Sequence, residues 1–270
     1  MKSFTVKTDC SLKDFTDAAY PQGSFCLAAL LRGKDIKVNG ARVNSNVFLK
    51  SGDTVNYYTN PKQESLKSHY KVYEDENVLV ADKLSGVTAE GLLSELLQNG
   101  EYYAVHRLDR NTQGLIVFAK NRGAEEELTA AFKERRVGKK YIALCKNGFK
   151  QKIGLLTAYL VKDEKAAEVK IFKNETAGSV KIVTEYEVKE NRGDIALIRI
   201  ALHTGKTHQI RAHMAFIGCP VLGDEKYGDS ALNKKYNAAR QRLVAKELCF
   251  DLNGKLEYLN AKEFVSAFEL

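Results

Sequence analysis

Residues 180–188 place an apolar or β-favouring side chain at every second position: Val180, Ile182, Thr184, Tyr186 and Val188. A period of two marks a strand with one buried face, because successive side chains of an extended chain point to opposite sides. Ile195–Leu202, after a polar break, predicts a second strand. Leu115-Ile116-Val117-Phe118-Ala119 is apolar without interruption and predicts a strand buried in the interior. Residues 78–80 and 141–144 read as further short strands, and residues 124–136 as a helix with Leu128, Ala131 and Phe132 on one face. The expected class is α+β: a mixed/antiparallel sheet with helices laid against it.

The first 60 residues have a different texture. Ser11 is placed to cap a short helix starting at Leu12. Residues 25–31 read as a second helix, stopped at Gly33. A strand at 36–38 runs into Asn39-Gly40, a type I′ hairpin turn, and Gly52-Asp53 turns the chain into a last strand. Two small helices and a short basic hairpin sheet make a compact module, residues 1–60, with little core of its own. Residues 61–70 are polar, carry one of only three prolines and read as a linker. Residues 71–270 then form the larger domain.

The formal net charge is +8, with a basic surplus in both parts, and favours an anionic partner such as nucleic acid. Five cysteines, an odd number without CxxC spacing, argue against a disulfide framework or a zinc ribbon. They predict reduced thiols and a cytoplasmic protein. No apolar signal core follows Met1, and no run approaches a membrane span. Oligomeric state is open in the sequence, with a monomer favoured.

Three stretches can carry chemistry. His106-Arg107-Leu108-Asp109-Arg110-Asn111-Thr112-Gln113-Gly114 is a polar turn that leads directly into the buried strand at 115–119. A turn anchored by a rigid element holds its side chains in place. A carboxylate with a cationic partner stays ionised and can attack a sugar carbon. Asp109 therefore reads either as a nucleophile or as a salt-bridge residue between Arg107 and Arg110. The second stretch, 203–214, holds three of the five histidines, His203, His208 and His213, with Arg211. Thr207 is a candidate helix cap. The spacing is unlike HExxH and lacks an acidic ligand, so an anion or carboxylate partner fits better than zinc. The third stretch is Lys139-Lys140-Tyr141, either a solvated strand start or an aromatic stacking face flanked by charge.

Taken in order, these motifs resemble the RluA-type RNA pseudouridine synthases. The matching strings are His-Arg-Leu-Asp at 106–109, Lys-Lys-Tyr-Ile-Ala-Leu at 139–144 and Thr-His-Gln-Ile-Arg-Ala-His at 207–213. Gly-Asp-Glu-Lys-Tyr-Gly at 223–228 completes the set, and the resemblance spans roughly residues 70–250. His106 stands where the sister RsuA-type branch has glycine. The N-terminal segment resembles the alpha-L RNA-binding module of a ribosomal small-subunit protein, through Arg32-Gly33, Val38-Asn39-Gly40 and Gly52-Asp53.

The resemblance implies roles. Asp109 would be the catalytic carboxylate, Arg211 its ion-pair partner, and Tyr141 the aromatic that stacks on the target uracil. Arg107 would contact RNA and fill the space left by a flipped nucleotide. His106, Lys140, Lys206 and His208 would line the RNA path, and Arg32, Lys34, Lys37 and Arg42 would meet phosphates. The implied reaction converts uridine in structured ribosomal or transfer RNA to pseudouridine, with base flipping. It needs no cofactor and no metal, because it is an isomerisation.

The chain departs from the pattern at Lys206, where arginine is usual, and at Gln113. It does so again at Leu84, where proline is usual, and at Cys219, where histidine is common. Lysine keeps the charge but loses the bidentate fork. Two rival functions stand beside this reading: a catalytically silent RNA-binding protein, and a nucleoside hydrolase that releases the base.

Overall fold

The computed structural model describes residues 1–163 and 168–270. The first 60 residues hold β1 (Lys2–Thr5), β2 (Cys10–Ser11), α1 (Leu12–Ala19), α2 (Pro21–Phe25) and α3 (Leu27–Gly33). They continue with β3 (Ile36–Val38), β4 (Ala41–Val43), β5 (Phe48–Leu49) and β6 (Thr54–Tyr57). The Ser11 hydroxyl caps α1 by accepting from Asp14 N. Asn39 and Gly40 both have positive φ, 49° and 83°, as the β3–β4 hairpin turn requires. The antiparallel sheet runs β1-β6-β3-β4. Leu12, Leu30, Ile36, Leu49, Val55 and Tyr57 form its fully buried centre.

Two expectations for the N-terminal helices are corrected here. The single helix read from residue 25 is split, because Cys26 leaves helical geometry and its thiol bonds back to Gln22 O at 3.1 Å. Lys34, not Gly33, takes the left-handed cap position, with φ 54°. The stretch read as a linker begins with one helical turn, α4 (Pro61–Glu64), fixed by a capping box between Asn60 and Gln63. Glu64 is bound by the hydroxyls of Tyr20 and Thr59, so this turn is tied back to the N-terminal unit.

The large sheet begins with β7 (His69–Glu74) and β8 (Val78–Lys83), followed by α5 (Ala89–Leu96), β9 (Tyr103–Ala104) and β10 (Gln113–Ala119). Next come α6 (Arg122–Lys133), β11 (Val137–Lys146), β12 (Ile153–Asp163), β13 (Glu168–Phe172), β14 (Val180–Arg192) and β15 (Ile195–Leu202). The chain closes with α7 (Gln209–Phe216), α8 (Ser230–Lys235), β16 (Leu243–Phe250) and β17 (Phe264–Val265). The strand order is β13-β12-β14-β15-β11-β16-β10-β8-β7, with β9 on β10 and β17 on β16. The β10–β16 pairing is parallel and the others described are antiparallel, so the sheet is mixed.

The uninterrupted apolar run of β10 has a plain cause: both of its faces are covered. Ile116 and Phe118 join Leu79 and Ala81 of β8 in a core with Leu92 of α5 and Met214 of α7. Leu115 and Val117 join Val78 and Val80 in a second core with Leu128 and Ala131 of α6. The alternation of β14 also holds, with Ile182, Thr184 and Tyr186 buried, while Val180 at its start is exposed. The N-terminal unit lies against this domain through α1 and α2, which contact α5. No helix among the described residues is long and apolar enough to cross a membrane.

Candidate active site

Asp109 lies on the loop between β9 and β10, and three anchors hold that loop. The Leu108 side chain is buried in the core under α5. The His106 ring stacks on Phe132 at 4.4 Å, and its Nε2 accepts from Val117 N of β10 at 3.0 Å. That acceptor role needs a neutral ring. Burial, helped by nearby Lys139, pushes the His106 pKa down to about 3. The third anchor is Lys83, fully buried, whose ammonium donates to the carbonyls of Val87, Leu84 and Arg110 at 2.7, 3.1 and 3.2 Å. Its burial lowers its pKa to about 7. Beyond the loop, Gly114 adopts φ 111°, and a Cβ there would lie 2.3 Å from the Ala245 carbonyl oxygen. Only glycine lets β10 leave the loop and pair directly with β16.

The two arginines beside Asp109 in sequence turn away from it. Arg107 is exposed and pairs with Glu90 at 3.4 Å. Arg110 pairs with Asp17. The partner of Asp109 is Arg211, on the first turn of α7, with Nη1 3.0 Å from Oδ2. Asp224 holds the rest of that guanidinium, accepting from Nε at 2.6 Å and from Nη2 at 3.0 Å. Asp224 is fixed in turn by the backbone N–H groups of Lys226 and Tyr227. The Tyr227 ring lies 5.2 Å from the guanidinium carbon. Arg211 is therefore gripped from behind and offers one N–H to Asp109. Among the described residues no hydrogen bond reaches Asp109 Oδ1, which leaves that oxygen open to a substrate.

His208, not Thr207, is the residue at the cap of α7, in left-handed geometry with φ 54°. This conformation turns the ring toward the loop. Its Nδ1 is 3.0 Å from the Tyr227 hydroxyl, which itself accepts from Val169 N at 2.9 Å. The other ring nitrogen, Nε2, lies 3.8 Å from Asp109 Oδ2. Burial lowers the His208 pKa, and the ring is neutral at pH 7. His203 pairs with Glu185 and His213 is buried against Thr184 Oγ1, so the three histidines diverge.

Tyr141 of β11 is 8% exposed and stands between Ile200 of β15 and Ala245 of β16. Burial and the charge of Asp109 push its hydroxyl pKa up, so it stays protonated. Two clefts, of about 1000 and 900 Å³, share Arg107, Leu108, Asp109, Thr207, His208 and Arg211 in their walls. The second contains Tyr141 and a cationic border that includes Lys133, Arg135, Lys139, Lys140 and Lys206. Lys140 is bound to Glu247 at 2.8 Å, while Lys206 is exposed. Arg32, Lys34, Lys37 and Arg42 line neither cleft. They lie on the N-terminal unit, where Lys37 and Arg42 face each other across β3 and β4.

The structure thus brings Asp109, Arg211, Tyr141, His208 and Lys206 together, uses His106 as an anchor, and leaves the N-terminal cations apart. In the sequence, Asp224 and Tyr227 fall within the 223–228 string and Lys83 precedes Leu84, but no local pattern assigns any of the three a role. A lysine in an apolar strand and an Asp-x-x-Tyr string were the signals available.

Comparison with known proteins gives the family and the fold. Residues 56–216 match the family model described as RNA pseudouridylate synthase. A "Ribosomal large subunit pseudouridine synthase C" of Vibrio parahaemolyticus is 30% identical over 225 residues, covering 74% of this chain and 70% of that one. The "Uncharacterized RNA pseudouridine synthase YlyB" of Bacillus subtilis is 33% identical over 248 residues, covering 83% and 80%. Among solved structures, "Human RNA Pseudouridylate Synthase Domain Containing 4" aligns with a TM-score of 0.60 at 22% identity, covering 74% of this chain and 88% of that one. That likeness concerns the fold.

Proposed function

The chain belongs to the RNA pseudouridylate synthase family, and from that premise we propose that Asp109 is the carboxylate with which it converts uridine in RNA to pseudouridine. The reaction breaks the bond from uracil N1 to the ribose and forms one from C5. N1 gains a proton and C5 loses one, so the mass is unchanged. The observation that carries the reading is the Arg211–Asp109 contact at 3.0 Å, with Asp224 holding the arginine from the far side. A fixed charge with one unengaged oxygen, in a cleft with a buried aromatic, suits attack or proton transfer at a sugar whose base is stacked beside it.

A uridine inside a helix cannot reach this carboxylate, so it must be turned out of its stack. Tyr141 supplies a π-face for the base. The exposed Arg107 would occupy the vacated space on leaving Glu90. The basic border of the second cleft guides the strand by its phosphates. The N-terminal unit, residues 1–60, is read as an RNA-binding module. Lys37 and Arg42 are its neighbouring cations and Arg32 and Lys34 lie at the end of α3. Relatives named for the large ribosomal subunit support large-subunit ribosomal RNA as the substrate. All five cysteines are free thiols, which supports a cytoplasmic setting.

Asp109→Asn is expected to form no pseudouridine while binding RNA within about threefold of wild type, since a neutral isostere leaves the cleft and its cations in place. Retained turnover in that variant sinks the assignment. Release of free uracil by the wild type would favour the hydrolase rival. A pseudouridine map of ribosomal and transfer RNA, with and without the gene, identifies the substrate.

A further inference from the structure

The N-terminal unit is joined by an ion pair to the loop that carries Asp109. Both oxygens of Asp17, on α1, accept from Nη2 of Arg110, at 3.1 and 3.2 Å. Nη1 of the same guanidinium donates to the carbonyls of Ser24, in α2, and Gly86, at 3.2 and 3.3 Å. One side chain thus ties both units together. Asp17 has a side-chain exposure of 9% and is also met by Lys13 Nζ at 3.4 Å and by the Ser24 hydroxyl. From the other side the Arg110 carbonyl accepts from Gly86 N at 2.9 Å and from Lys83 Nζ at 3.2 Å.

The surfaces around this pair fit closely. A Cβ at Gly91 of α5 would lie 2.9 Å from Thr88 Oγ1 and 3.2 Å from Ser24 Oγ. Phe25 of α2 packs against the core that contains Leu108, Tyr141 and Ile210. A unit that served only to hold RNA would have no need for a charged contact one residue from Asp109.

We infer that Asp17 is a positioning residue: by holding Arg110, it makes the N-terminal unit part of what keeps Asp109 in place for reaction. This rests on the reading of Asp109 as the reacting carboxylate. A displacement of about 1 Å at a reacting group can lower the rate about a hundredfold. Weakening the clamp should therefore appear in the chemical step, not in RNA affinity.

The test is steady-state kinetics of the full chain on its RNA. Asp17→Asn keeps the shape and removes the charge. It is expected to lower kcat by about tenfold or more with KM within about twofold. Asp17→Glu, which restores the carboxylate, should recover most of the loss. If Asp17→Asn does not fold, as judged by circular dichroism, Arg110→Lys carries the same expectation by removing the fork. A raised KM at wild-type kcat would mean that the unit only grips RNA, and would overturn the inference. Unchanged kinetics would overturn it equally. An inactive Asp109→Asn beside wild-type kcat in Asp17→Asn overturns this inference alone. Turnover retained in Asp109→Asn removes the reading of Asp109 and this inference with it.

Discussion

At Tyr141 the environment separates two uses of one side chain. Burial and the Asp109 charge keep its hydroxyl protonated, while its ring lines the cleft. If the ring stacks on the base, Tyr141→Phe should bind target RNA as wild type does. Tyr141→Ala should bind about tenfold to a hundredfold more weakly, since a base–aromatic stack contributes about 1–3 kcal/mol. Equal losses in both variants, measured by RNA titration, would assign the binding contribution to the hydroxyl. The motif string around Tyr141 was legible in the sequence, and so was Asp109. The resemblance gave Arg211 as the partner of Asp109, but chain neighbours alone did not: Arg107 and Arg110 flank it, yet they bond to Glu90 and Asp17. Backbone geometry on a turn sends consecutive side chains in different directions, so adjacency is a poor guide to pairing.

Among the elements, β10 carries the most information. Its apolar run is legible because both faces are buried. Gly114 at its start carries a further consequence. An alanine there would hold φ 111° and press its Cβ to within 2.3–2.8 Å of Ala245 backbone atoms. Gly114→Ala should destabilise the fold by about 3–5 kcal/mol, read as a lower denaturant midpoint. A midpoint within error of wild type would refute the requirement. Elements that expose much of their surface were harder to read. β12 buries few of its side chains, so its alternation is weak, and α5 is short and contains Gly91. β16 pairs in parallel with β10, but its sequence mixes Lys246 and Glu247 among apolar residues and hides its period.

Over the whole molecule, buried neutral histidines set the response to acid. His213 is 1% exposed, and burial lowers its pKa to about 4; that of His106 falls to about 3. Both are neutral in the fold, whereas the unfolded chain takes up protons below about pH 6.5. Stability is therefore complete above that pH and declines as pH falls toward 4 and then 3. Glu74, lowered to about 2 by Lys120 and Lys71, adds a loss below about pH 4.5. Denaturant midpoints should fall between pH 7 and pH 5, and His213→Asn should flatten that fall by about one proton. An unaltered slope would show that His213 does not titrate there. The sequence by itself determined the strand periods, the hairpin turn at Asn39-Gly40 and the motifs that identify the chemistry, because those depend on local geometry and on residue type. The resemblance already pairs Arg211 with Asp109; only the tertiary structure decided that Asp224 holds that arginine from behind, that Asp17 meets Arg110 across 93 positions, and that neutral His106 accepts from the backbone of β10. Such pairs form where sheet and helix packing brings distant segments together, and no local pattern encodes that separation.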